Sequence, residues 1–242
     1  MTHIGLLLGG VLAGIINALA GGGSTVTLPL LLLFGVDANV ANGTNRVAVL
    51  CQSLSAGRSF SRQGAINWNA TWRLLPFVLG GAVGGAILAA KIDAQQLEFI
   101  VGWVFLVLGL FLVFQERLQT LVSSDQLRRF RLPVLILIGF YGGFLQAGVG
   151  IPLLLAFLGL YGLSFADANG TKVIHIAIYS VVVLFIFGSE NQVHALYGLE
   201  LGIGGIIGGH IGARIAVRAR PRYLRPILAL FLLFMGARTL LQ

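Results

Sequence analysis

The chain reads as apolar segments separated by short polar turns. Segments 4–19, 26–36, 43–57, roughly 70–90 and 97–115 fill the first half, and 132–146, 151–163, 170–188, 195–216 and 224–241 fill the second. A membrane helix needs about 20 apolar residues to cross about 30 Å of hydrocarbon. Segments 26–36 and 151–163 are too short for that, reaching only about 16–20 Å at 1.5 Å per residue. Each follows a glycine break, Gly21-Gly22-Gly23-Ser24 in one case and Gly148-Val149-Gly150 in the other. Pro29 and Pro152 fall in early turns of these pieces, where a missing N–H costs little. Each break reads as the tip of a helical hairpin dipping into the membrane, because non-helical backbone at that depth must face protein or water.

The two halves share one pattern at an offset of 127 residues without gaps. Ala20-Gly21-Gly22-Gly23 falls on Ala147-Gly148-Val149-Gly150, Gly35 on Gly162, and Ala41-Asn42-Gly43-Thr44 on Ala168-Asn169-Gly170-Thr171. Charge supplies an orientation. Arg58, Arg62 and Arg73 follow the first long segment of half one, whereas the matching loop 188–194 has Glu190 and no Lys or Arg. The next loop reverses this, with Lys91 and Asp93 against Arg214, Arg218, Arg220, Arg222 and Arg225. Equivalent loops of opposite charge face opposite sides by the positive-inside rule. The expected fold is an all-α integral membrane protein of two inverted repeats, each a glycine-broken hairpin plus three transmembrane helices. Residues 1–115 form repeat 1, 116–131 a cytoplasmic linker and 132–242 repeat 2. Loop 214–225 is also expected in the cytoplasm, both termini outside, and the whole in the cytoplasmic (inner) membrane as a multi-pass protein.

Composition excludes several classes. Hydrophobic residues make up 57% of the chain and charged ones 10%, where a soluble domain carries about 25% charged, so a soluble globular enzyme is ruled out. The net charge of +8 does not indicate nucleic acid, since binders of nucleic acid display cations on a polar face. Of 16 cations, 12 lie in the three loops that orient the chain. Residues 1–36 contain no Asp, Glu, Lys or Arg, so the first apolar stretch is expected to stay in the mature protein rather than act as a cleaved signal. Cys51 is the only cysteine, which removes an intramolecular disulfide and any C-x-x-C site. No metal or cofactor motif appears, and without a phosphate-binding loop an ATP-driven pump in this single chain is excluded. The expected partners are a small anionic substrate and the lipid bilayer, with a homodimer left open.

Inverted-repeat proteins place substrate near the midplane, at interrupted helices. The candidates at the breaks are Gly21, Gly22, Gly23, Ser24, Gly148 and Gly150, where a following helix points N–H groups and its positive dipole end at an anion. The second cluster is Asn42, Thr44, Asn45 and Arg46, with its mate Asn169, Thr171 and Lys172. Each reads as opening a membrane helix in the manner of an N-cap. Arg46 and Lys172 exceed what a cap needs, and ionisable groups in membrane segments are functional candidates; the bland alternative is that both snorkel to the interface. If the halves bring the clusters together, a small cavity suited to an oxyanion results. His175 lies one turn beyond Thr171, either as a proton carrier or as a hydrogen-bonded core histidine. The pairs Gly80-Gly81, Gly84-Gly85, Gly204-Gly205 and Gly208-Gly209 read as close helix packing.

The runs Asn17-Ala18-Leu19-Ala20-Gly21-Gly22-Gly23-Ser24, Leu28-Pro29-Leu30-Leu31, Asn42-Gly43-Thr44-Asn45-Arg46 and Gly64-Ala65-Ile66-Asn67-Trp68 resemble the sulfite exporter (TauE/SafE-like) family of membrane permeases across essentially the whole chain. The resemblance implies export of sulfite or related sulfur-containing anions such as organosulfonates. It maps the family's glycine-rich and Thr-Asn positions onto Gly21, Gly22, Gly23, Thr44 and Asn45. Half two departs from the pattern, with Val149 inside the glycine run and Lys172 where half one has Asn45. The competing classes are an anion channel and, more remotely, an intramembrane hydrolase built on Ser24 with His175 or His210. The second lacks any G-x-S-x-G or H-E-x-x-H.

Overall fold

A computed structural model describes residues 2–122, 129–218 and 224–241. Among them every regular element is a helix: α1 (Thr2–Ala20), α2 (Ser24–Leu33), α3 (Ala38–Arg62), α4 (Trp68–Lys91), α5 (Ala94–Val122), α6 (Arg131–Phe144), α7 (Gly150–Gly159), α8 (Phe165–Ser189), α9 (Ala195–Arg218) and α10 (Leu224–Leu240). Positions 123–128 of the expected linker and 219–223 of the arginine loop lie outside the described residues. The short segments are ten-residue helices in both halves. Each is followed by a left-handed glycine at an equivalent place, Gly35 (φ 75°) and Gly162 (φ 64°).

The long helices after these turns begin earlier than the sequence pattern suggests. α3 starts at Ala38 and α8 at Phe165, so Asn42 and Asn169 are not N-caps. Asp37 and Ser164 hold that position, and the Ser164 side chain accepts from the Asp167 N–H. The hydrophobic pattern misses this first turn because Asn39 and Asp167 interrupt it. Arg46 and Lys172 therefore sit in the third turn, well inside the helix.

Polarity is distributed inside out. Large apolar side chains cover the outside, among them Leu8, Leu137, Phe185, Ile207 and Phe234, the last 66% exposed. The fully buried set includes Asn42, Asn45, Arg46, Gln52, Asn169, Lys172 and His175. A soluble protein does the reverse, and a continuous apolar exterior calls for lipid. Two helices, α4 and α8, are long and apolar enough by themselves to cross a membrane. α3 is just as long, at 25 residues, but its polar side chains lower its hydropathy because they point into the protein.

Contacts between helices exchange partners from one half to the other. α1 packs along α9 as α6 packs along α4; α3 lies against α9 as α8 lies against α4; α5 meets α10, and α3 meets α8 in the middle. Glycines make the closest approaches. A side chain at Gly81 or Gly85 would strike the carbonyls of Ile136 and Phe140 on α6, and one at Gly204 or Gly208 those of Leu7 and Val11 on α1. At one end of the bundle Gly43 lies under the Gln192 carbonyl, and Gln192 Nε2 donates to Ala90 O. At the other end Gly170 lies under the Ala65 carbonyl, and Arg62 and Arg214 line one cavity.

Candidate functional site

The two glycine breaks meet in the interior. Gly150 N–H donates to Gly21 O at 3.0 Å, and a Cβ on either residue would run into the backbone of the other. Gly21 also has φ 79°, a conformation that costs glycine little and other residues more. Ser24 ties the loops together: its hydroxyl donates to Gln146 O at 2.8 Å and accepts from Gly148 N–H at 3.3 Å. Thr25 Oγ1 donates to Gly22 O at 2.5 Å. The short helices α2 and α7 start from this junction, and their first N–H groups are bonded within it, Thr25 N–H to Gly22 O and Ile151 N–H to Gly148 O.

Arg46 and Lys172 are both completely buried, so neither snorkels. Each grips the carbonyl end of the broken first helix of the opposite half. Arg46 Nη1 donates to Gly142 O at 2.5 Å, and Nη2 to Gly143 O at 2.8 Å and Asn42 Oδ1 at 3.0 Å. Its guanidinium also lies 5.2 Å from the Phe187 ring centroid. Asn42 Nδ2 completes the clasp by donating to Phe144 O at 2.8 Å. Lys172 Nζ donates to Asn17 O at 3.2 Å and to Asn169 Oδ1 at 2.7 Å. A cation at a helix C-terminus is where the macrodipole favours it. The two cations share no hydrogen-bond partner, so they form two clusters rather than the single cavity expected from the sequence. Neither has a carboxylate partner; the one ion pair among the described residues joins His3 to Glu200 far from the breaks.

Amides that sequence reasoning passed over complete both clusters. Asn17 Nδ2 donates to Ser53 Oγ at 3.3 Å, and Gln146 Nε2 donates to Ser180 Oγ at 3.2 Å. Ser53 and Ser180 are related by the same 127-residue offset, a match that was available in the sequence. Gln146 has φ 64°, a strained backbone of the kind found at functional sites and one that no sequence pattern reveals. Gln52 runs from α3 past Gly205 to Gly23, and neither atom of its carboxamide has a hydrogen-bond partner. Asn45 Nδ2, Gln146 Oε1, Arg46 Nε and His175 Nε2 are also buried and unpartnered. A buried polar atom without a partner costs about 1–3 kcal/mol, and the Gln52 carboxamide stands directly beside the first break at Gly23.

The remaining candidates make hydrogen bonds between and along the helices. Thr44 Oγ1 accepts from His194 N–H at 2.8 Å, and Thr171 Oγ1 accepts from Thr71 Oγ1 at 3.3 Å. The Thr27 hydroxyl donates to Asn45 Oδ1. Asn169 Nδ2 donates to Phe165 O at 3.0 Å. His175 Nδ1 donates to Thr171 O at 2.8 Å, and its ring lies 5.3 Å from that of Phe157. No group of three or more His, Cys, Asp or Glu among the described residues is arranged to hold a metal.

Residues 6–239 match the family described as sulfite exporter TauE/SafE. The chain is 29% identical to a probable membrane transporter protein of Haemophilus influenzae, over 95% of this chain and 91% of that one. It is 28% identical to the probable membrane transporter protein ORF9 of a Sinorhizobium species, over 97% and 91%. It is 27% identical to the probable membrane transporter protein YfcA of Escherichia coli K12, over 95% and 86%. No solved structure matches. An apolar exterior, a polar interior built around two broken helices, and a match over nearly the whole length together establish that the chain belongs to the sulfite exporter TauE/SafE family of membrane transporters.

Proposed function

We propose that the protein is a secondary transporter that exports a small sulfur-containing anion, sulfite or an organosulfonate, across the cytoplasmic membrane. In this reading residues 1–115 and 132–242 are inverted repeats. The exchanged packing supports it, as does the appearance of Gly43 and its mate Gly170 at opposite ends of the bundle. The end carrying Arg62 and Arg214 faces the cytoplasm by the positive-inside rule. The termini lie outside.

The observation that carries the reading is the pair of buried cations, Arg46 and Lys172, beside two touching helix breaks with no carboxylate among the described residues to balance them. A buried charge left unpaired is costly, and a small anion between the breaks offsets that cost. The anion takes over donors that otherwise join the breaks to one another, the Ser24 hydroxyl and the Gly148 and Gly150 N–H groups, and meets the backbone of Gly21, Gly22 and Gly23. Asn45 carries an unpartnered nitrogen beside Thr27 of the short helix, while Asn42, Thr44, Asn169, Thr171 and His175 hold the helices that present the cations. Outward movement of an anion is favoured by an inside-negative potential, at about 2.3 kcal/mol per charge per 100 mV. Flux of labelled sulfite and sulfonates into proteoliposomes tests this. Saturable wild-type uptake that falls in Arg46→Ala and Lys172→Ala is expected, and unchanged flux in both variants removes the site.

A further inference from the structure

The two clusters differ in what they have left to offer a ligand. Around Arg46 three of five N–H donors are committed to Gly142, Gly143 and Asn42, and the fork is held on successive backbone carbonyls. Around Lys172 two bonds are made from an ammonium with three donors. Its acceptor, Asn17 O, belongs to the residue whose Cβ packs against Gly23. The Gln52 carboxamide reaches the same glycine: a Cβ at Gly23 would stand 2.7 Å from Gln52 Oε1 and 2.7 Å from Asn17 Cβ. A Cβ at Gly205 would meet the Gln52 stem. Two glycines thus leave room for an amide that is wholly buried and bonded to nothing.

Resting on the anion-transport reading above, we infer that Gln52 is the specificity-determining contact of an off-centre site at the first glycine break, where Lys172 supplies the charge. Whichever way its amide is flipped, Gln52 presents one donor face and one acceptor face. Oxyanion oxygens satisfy the donor and leave the acceptor facing negative charge. The ligand that satisfies both is a small monoanion that also carries a hydrogen-bond donor, such as a hydroxyl-bearing sulfonate or hydrogensulfite. The equivalent position in half two is Tyr179, which lies instead against Gly142 beside the Arg46 clasp, so half two has no matching amide.

The test compares flux of hydroxymethanesulfonate with that of ethanesulfonate, which replaces the hydroxyl by a methyl of similar size. Wild-type protein in proteoliposomes and the variants Gln52→Leu and Gln52→Glu are measured together. A site built to bond a substrate hydroxyl rejects the analogue lacking it, so wild type is expected to favour the hydroxyl compound by at least about tenfold in kcat/KM. Gln52→Leu is expected to lose that preference. Its melting temperature in detergent without substrate is expected not to fall, because no hydrogen bond is removed. Gln52→Glu keeps the shape, adds negative charge, and is expected to lose flux of both anions while remaining monodisperse. A folded Gln52→Leu or Gln52→Glu that keeps both wild-type flux and preference overturns the inference, as does a wild type that does not discriminate. Wild-type protein that moves neither compound nor sulfite overturns the anion reading itself.

Discussion

The Arg46 and Lys172 clusters are built to the same plan and finished differently. In each, a cation on a long central helix reaches across to the carbonyl end of the other half's broken helix. Arginine's planar fork binds two successive carbonyls and a side-chain oxygen, and adds a ring contact. Lysine makes two bonds as a point charge beside an unpartnered amide. The difference follows from chemistry: a planar fork is locked on two successive carbonyls, whereas an ammonium on a flexible stem can turn its remaining donor toward a ligand. On this account the Arg46 side mainly holds the broken helices in register and the Lys172 side mainly holds the ligand.

The largest effect is expected where the two glycine breaks touch. Gly21→Val and Gly150→Val each drive side-chain atoms into the facing backbone, and the folded yield in detergent, read by size exclusion, is expected to collapse. Next is Arg46→Met, which strips donors from Gly142, Gly143 and Asn42; the loss is expected to be about 3 kcal/mol or more, measured as a fall in melting temperature. Lys172→Met removes fewer bonds, so its melting temperature is expected to fall less while flux falls more. If the two substitutions have equal effects on both readouts, the division of labour is wrong. Arg46→Lys is expected to recover part of the Arg46→Met stability loss, since one ammonium cannot span both carbonyls as the fork does. The smallest effect is expected at Gly80→Ala, where a Cβ meets nothing within 4 Å; helix propensity alone predicts a gain of about 0.5–1 kcal/mol. Gly81→Ala, one position on, meets Ile136 O and is expected to destabilise.

Much of the architecture was legible in the chain because glycine breaks, short helices and the 127-residue offset are local signals. Ser24, Arg46 and Lys172 stand out as polar groups in apolar surroundings; Ser24 lies where the breaks meet, and the two cations bond the ends of the helices that lead into them. The start of α3 and α8 was not legible, since Asn39 and Asp167 disguise the first turn as loop. The partners of the cations were not legible either. A backbone carbonyl at Gly142 or Asn17 carries no side-chain signature, and which helix end a buried arginine reaches depends on packing across some 96 residues of chain. Gln52 was hidden for a related reason, because a lone amide on a polar helix looks unremarkable until Gly23 and Gly205 are seen to enclose it.

The most direct measurement is the flux of labelled sulfite through wild-type protein and Lys172→Met, reconstituted at equal density and both checked to be folded at the assay temperature. Saturable wild-type uptake that is reduced by at least about tenfold in the variant, with the fold retained, is the predicted result. Equal uptake by the two proteins, or no anion flux from well-folded wild type, contradicts it.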